Sequence, residues 1–236
     1  MATTTPTLTP TFATGATAKP GDVVRVDPRR ERPGDQVAPG LAEVGLNHGF
    51  VGDVLSAMLT HERCGRHLYR SVATRTNNPV LRRKYEEFGG ETERHATILE
   101  DLVTQLGGDP QYVSPAARAV EGNDSRLLEA TYLLAGSVDV MTQEMVMLDA
   151  VLLAESMDHA NWTTLAQLTE SLPEGPVRAS FAAAVGDVLG EEEDHLSWAR
   201  DTKARLTVMQ ASSKAMATTA TKVEEMVDTV RGWLST

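Results

Sequence analysis

Cysteine is almost missing from this chain of 236 residues: Cys64 stands alone. That excludes an internal disulfide framework and any Cys-rich zinc or rubredoxin-type module, and it fits a reducing compartment. Aromatic residues reach only 5%, while Ala, Leu and Val dominate a hydrophobic share of 41%. This mixture favours helices over a β-sandwich. No apolar run approaches the roughly 18 residues of a membrane span. Met1 to Pro20 is rich in Thr, Pro and Ala and lacks the basic and apolar blocks of a secretory signal, so the cytoplasm is the expected location. Positive charge is also scarce. With 22 Lys and Arg against 33 Asp and Glu, the net charge is −11 and the pI is near 5.0, which argues against unassisted binding to nucleic-acid phosphates.

What is present begins with a leader, residues 1–45, carrying Thr, Pro, Gly and scattered charge. It has too little apolar surface to offset the entropy of ordering, so it is expected to be a disordered tail, either a plain solvated leader or a dock for an unidentified partner. Helical periodicity then takes over for residues 46–206. Val51, Leu55, Met58, Glu62, Gly65, Tyr69 and Val72 lie on one helix face, closed by Asn77-Asn78-Pro79. Leu81, Tyr85, Phe88, Glu91/Thr92, His95, Leu99, Leu102 and Leu106 form a second face, stopped at Gly107-Gly108. A connection to about Asp124 follows, with one short helical turn near Ala116 to Val120. A third helix runs from Leu134 through Met141, Leu148, Glu155, His159 and Trp162 to the break at Leu172-Pro173. A fourth carries Phe181, Val188, Glu191/Glu192, His195, Ala199 and Leu206. Residues 207–236 are read as a fifth helix, packing on the bundle or on another subunit.

The first two helices can be laid over the next two. Glu62 is followed seven residues on by Tyr69, and Glu155 seven residues on by Trp162. Glu91 precedes His95 by four, Glu191 precedes His195 by four, and Glu192 precedes it by three. Ionisable groups thus interrupt the apolar stripe near the middle of all four helices. A buried carboxylate costs several kcal/mol unless it is paired, protonated or bound to a cation. Four such interruptions make little sense as packing and good sense around a divalent cation pair, for which oxygen and imidazole ligands suit iron or manganese. A surface ion pair is the bland alternative for Glu62, which stands among His61, Arg63 and Arg66. His159, one turn after Glu155, reads as an extra ligand, a partner of a carboxylate or a bundle-end residue.

On Glu62 with Tyr69, Glu91-Thr-Glu-Arg-His95, Glu155 and Glu191-Glu-Glu-Asp-His195, residues 50–206 resemble the ferritin-like superfamily, which includes rubrerythrins and bacterioferritins. The resemblance implies an all-α, ferritin-like four-helix bundle of two similar helix pairs. Its metal pair takes a lone Glu from two helices and a Glu-x-x-His from each of the others. Carried onto this chain, the lone carboxylates are Glu62 and Glu155, and Glu192 with His195 is one Glu-x-x-His. The other half departs from the pattern, because Thr92 stands three residues before His95. Glu91, about 40° from the His95 direction, is taken as the substitute. The expected ligands are therefore Glu62, Glu91, His95, Glu155, Glu192 and His195, with Tyr69 and His159 beside them.

The resemblance implies a cytoplasmic iron-handling protein or oxidoreductase holding two irons per chain, with manganese as the other candidate. Its co-reactant is dioxygen or peroxide, and it assembles as a homo-oligomer, a dimer or larger. Its outputs would be ferroxidase activity, peroxide removal or iron storage. The alternative is a ferritin-like structural or stress-associated interaction protein whose metal site is degraded.

Overall fold

The computed structural model describes residues 28–133 and 138–212, and every regular element among them is helical. A 3-10 turn at Pro28–Arg30, a single helical turn α1 (Gly34–Val37) and another 3-10 segment at Pro39–Val44 lead into the long helices. These are α2 (His48–Arg75), α3 (Pro79–Gln105), α4 (Pro115–Leu133), α5 (Val140–Ser171) and α6 (Pro176–Ser212). None of the described helices is long and apolar enough to cross a membrane.

Local chemistry sets the helix ends. Asn78 Oδ1 accepts from the Val80 and Leu81 amides at 2.9 and 3.3 Å, with Pro79 at the first helical position, where its missing N–H costs nothing. Asp139 caps α5 through the Thr142 amide at 3.0 Å. Gly107, at φ +75°, ends α3 in the left-handed conformation that glycine adopts without strain.

The short turns after Arg75 and Ser171 fold α2 on α3 and α5 on α6 as antiparallel hairpins. Arg66–Glu93 (3.1 Å) and Arg63–Glu100 (2.7 Å) lace the first, and Lys203–Asp149 (2.6 Å) the second. The hairpins meet face to face, α2 on α5 and α3 on α6. Two apolar clusters fill the space between them. Leu55, Leu99, Trp162, Phe181 and Val188 belong to one, and Tyr69, Tyr85, Phe88, Leu148 and Val151 to the other. The polar interruptions of the stripes lie at the level between these clusters.

Three expectations need correction. Composition places residues 28–45 in the tail, yet Val37, Ala38 and Leu41 are fully buried. Arg32 and Val113 tie this belt to the α3–α4 connection, with amide bonds Arg32 to Val113 (3.0 Å) and Val113 to Arg30 (3.1 Å). Few apolar side chains suffice because backbone meets backbone: a Cβ on Gly34 or Gly52 would collide with the other segment's backbone. Second, the connection before Asp124 is largely the helix α4. Its buried face carries Ala117, Glu121, Ser125 and Thr131, small or polar residues that leave no apolar period to read. Third, the helix expected from Leu134 starts at Val140, residues 134–137 being outside the described set. The last helix runs past Leu206 to Ser212; the tail before residue 28 and the remainder of the expected fifth helix also lie outside the described residues.

Candidate metal centre

Five side chains from four helices converge at mid-bundle. Glu62 from α2, His95 from α3 and Glu192 from α6 offer ligand atoms within 4.8 Å of one another, and so do Glu155 from α5, Glu192 and His195. All are at most 3% exposed. Glu192 belongs to both groups, which is the placement of a carboxylate that bridges two ions. The His95 and His195 rings stack at 5.8 Å between centroids.

The geometry has a twofold character inherited from the repeat. Tyr69 Oη donates to Glu155 Oε1 at 2.6 Å, and Trp162 Nε1, its counterpart, donates to Glu62 Oε1 at 2.7 Å. His195 Nε2 meets Glu91 Oε2 at 2.7 Å, and His95 Nε2 meets Glu191 Oε2 at 2.8 Å. Each imidazole thus has its outer nitrogen engaged by a carboxylate, the arrangement that fixes ring orientation and raises the basicity of the inner nitrogen.

The inner atoms are left over. Glu62 Oε2, Glu155 Oε2, both Glu192 carboxylate oxygens, His95 Nδ1 and His195 Nδ1 are buried and have no hydrogen-bond partner. His95 Nδ1 lies 2.7 Å from Glu192 Oε1, and His195 Nδ1 3.3 Å from Glu155 Oε2, without hydrogen-bond alignment. Orphaned buried polar atoms are costly, and these all face one another. Carboxylate oxygens and imidazole nitrogens are the donor set of iron, manganese or zinc, so the residues fit a metal pair.

Without a cation the charges must be met by protons. Burial first, then Asp158 and Glu192, raises the Glu62 carboxyl well above the carboxylate range. Burial and the Glu155 charge push Glu192 up to about 8. His195 loses from burial but gains more from Glu155, Glu192 and Glu91, and rises to about 9. His95 is lowered, burial outweighing its Glu191 contact.

Glu62, His95, Glu155, Glu192 and His195 therefore stand together as the sequence pattern predicts. Glu91 does not join them: it touches the outer nitrogen of His195 and serves to orient it. Position 91 is partly exposed, its side chain at 28%, while Thr92 is the residue of α3 buried one turn before His95. Tyr69 stands beside the group and donates to Glu155. His159 stands apart, partly exposed, with Nε2 3.5 Å from Glu193.

Sequence reasoning missed four participants. Glu191 mirrors Glu91, and the repeat itself signals it. Trp162 is legible as a repeat of Tyr69 but not as a donor. Asp158, one turn past Glu155, is 4% exposed, whereas the next residue, His159, points about 100° away and is partly exposed. His61 is the last, its Nδ1 at 2.8 Å from Asp124 and its Nε2 donating to the Ala154 carbonyl at 3.1 Å. Burial opposes its charge, but Asp158 and Asp124 outweigh that and push its pKa up to about 10.

No known protein family, curated protein or solved structure matches the chain.

Proposed function

We propose that this chain is a ferritin-like helical bundle protein that binds a pair of divalent transition-metal ions and, loaded with iron(II), passes electrons to dioxygen or peroxide. The observation that carries the reading is the set of partnerless inner atoms on Glu62, His95, Glu155, Glu192 and His195, brought to one level by four helices. Bound iron would supply the one-electron oxidation from iron(II) to iron(III). The chain's own residues do the rest. Glu192 would serve both positions, Glu62 and Glu155 one each, and the two imidazoles would hold theirs from the α3–α6 side. Tyr69 and Trp162 fix the carboxylates through their spare oxygens, while Glu91 and Glu191 hold the rings. The apolar clusters on either side keep water away, which strengthens charge interactions within the layer.

Thr92 supports a second reading, a ferritin-like interaction protein with a reduced metal site. Its hydroxyl donates to the Phe88 carbonyl at 2.9 Å, so the first helix pair supplies no second bridging carboxylate. Metal analysis of the purified full chain separates the two. About two metal ions per chain, with an absorbance change on adding iron(II) in air, is the outcome expected of the oxidoreductase. No bound metal, and a melting temperature unmoved by iron(II) or manganese(II), would leave the interaction protein standing.

A further inference from the structure

Among the long described helices, α5 alone has neither Lys nor Arg. Its inner faces meet α2, α4 and α6. Its acids are engaged or enclosed. Glu144 accepts from Thr76 Oγ1 and from the Asn77 amide, both at 2.7 Å, Asp149 pairs with Lys203, and Glu155 and Asp158 are buried. Only Glu170, in the last turn, is left over. The side turned away from the bundle is apolar instead. Leu153 and Met157, one turn apart, are 58% and 53% exposed. Val146, Ala160 and Thr164 fall on the same line at about 100° per residue. A helix without a charged side is characteristic of one covered all round, because solvent-facing helices carry their charges there. No described residue covers this side.

The chain itself supplies a matching surface. In residues 213–236, outside the described set, Met216, Ala220, Val223, Val227, Val230 and Leu234 recur every three or four positions, a pattern that predicts an amphipathic helix. Lys222, Glu224, Glu225, Asp228 and Arg231 fall on its other side. Such a helix is marginal in water by itself and needs a place to bury its stripe. Its reach fits α5. The Lys203–Asp149 pair fixes the register of α6 against α5. Ser212 and Val140 lie equally far from that pair, about 14 Å along their helices, so α6 ends beside the start of α5. From Val140 to Met157 is about 26 Å, and Met216 to Leu234 as a helix is about 27 Å. Residues 213–215 remain for the turn, a usual length between antiparallel helices. The spacing of Val223, Val230 and Leu234 also repeats that of Val146, Leu153 and Met157.

We propose that residues 216–234 fold back as a helix antiparallel to α6 and seat Val223, Val230 and Leu234 on the outer side of α5, level with Val146, Leu153 and Met157. The occupant is the chain's own end rather than a second copy, because the segment begins where the face begins and matches it in length. The uncharged side of α5 takes the stripe without burying an ion, and the charges of the segment stay in water. The proposal is independent of whether the centre holds metal.

Hydrogen exchange of the full chain, read by mass spectrometry, tests the docking. In the wild type the amides of residues 216–234 should exchange at least about tenfold more slowly than in a free peptide of that sequence, since buried Val and Leu side chains hold them. Leu153→Asp with Met157→Asp should remove this protection and leave the amides of α2 and α3 unchanged. Both positions are more than half exposed on the bundle, so its fold does not depend on them. Val227→Asp with Val230→Asp should act likewise from the segment's side. Unprotected amides in the wild type, or protection that survives either pair of substitutions, overturn the proposal. A chain carrying Cys64→Ala, Met157→Cys and Leu234→Cys tells the copies apart. On oxidation it should form a disulfide within one chain. A disulfide-linked dimer, no cross-link, or protection lost on dilution overturns the proposal, and the dimer makes a second copy the occupant.

Discussion

Trp162 reaches from α5 to α2 and donates its indole N–H to Glu62 Oε1 at 2.7 Å, in a bundle core where neither residue meets water. A hydrogen bond to a buried carboxylate is worth about 1.5 to 3 kcal/mol, and its loss strands the acceptor. Trp162→Phe is therefore expected to lower stability by about 2 kcal/mol in denaturant titrations, and Tyr69→Phe by a similar amount through Glu155. The decisive comparison is between chelated and manganese-loaded protein. If both variants destabilise only the chelated form, the aromatic donors serve packing and not the metal-binding carboxylates.

Glu192 is common to both candidate ligand groups. Glu192→Gln should consequently remove both metals together, whereas Glu155→Gln should remove one. Elemental analysis of purified variants reads this directly. Retention of a full metal complement by Glu192→Gln would show that the bridge lies elsewhere.

Glu91 and Glu191 sit outside the ligand groups and hold the imidazoles. Glu91→Ala and Glu191→Ala should each lower manganese affinity about ten- to a hundredfold while leaving the number of ions bound unchanged. A drop in the number bound by Glu91→Ala would restore Glu91 as a ligand.

The pH dependence has a definite sign. Asp158, raised by burial and by Glu192, and Glu192 itself both titrate near 8 in the folded chain, far above the range of an unfolded carboxyl. The folded state thus holds protons that the unfolded state has released. The resulting penalty is absent below the unfolded values and complete above about 8, so folding weakens as pH rises between them. His61 acts in the same direction: its contribution is whole below the unfolded histidine value and is lost as pH climbs through about 10. The lowered His95 opposes this trend over a narrower range. In chelator the melting temperature should fall from pH 6 to 9, and saturating manganese(II) should flatten that fall by replacing the protons. A chelated protein equally stable at both ends would show that the carboxyls are not coupled as described.

Leu41 tests the reassigned belt. It is fully buried against the core cluster that contains Leu55 and Leu102, so Leu41→Ala should cost about 2 to 4 kcal/mol. A change under 0.5 kcal/mol, the range typical of exposed positions, would return the segment to the tail.

Four of the five long helices, α2, α3, α5 and α6, are legible because each carries an apolar stripe, and Asn77-Asn78-Pro79, Gly107 and Leu172-Pro173 all end or begin helices where the chain does. The centre was legible for a related reason, since ionisable groups on an apolar stripe demand compensation, and the repeat matched them in pairs. What stayed hidden depends on neighbours remote in sequence. α4 buries Ser125 and Thr131, whose value comes from contacts rather than from hydrophobicity. Glu91 is misplaced and Asp158 missed because spacing along one helix gives a direction but not what stands opposite. Only the crossing of α3 with α6 shows that Glu91 meets the back of His195.

The belt of residues 28–44 touches elements that come together late. Its glycine contact needs the first turns of α2, its amide bonds need the far end of α3 and the strap after it, and the Gly40 amide donates to the Leu106 carbonyl at 2.8 Å. These surfaces stand side by side only once the α2–α3 hairpin has closed. The belt should therefore dock as a last cooperative step and detach as the first. Its amides would then exchange hydrogen with solvent well before those of the helices it clasps.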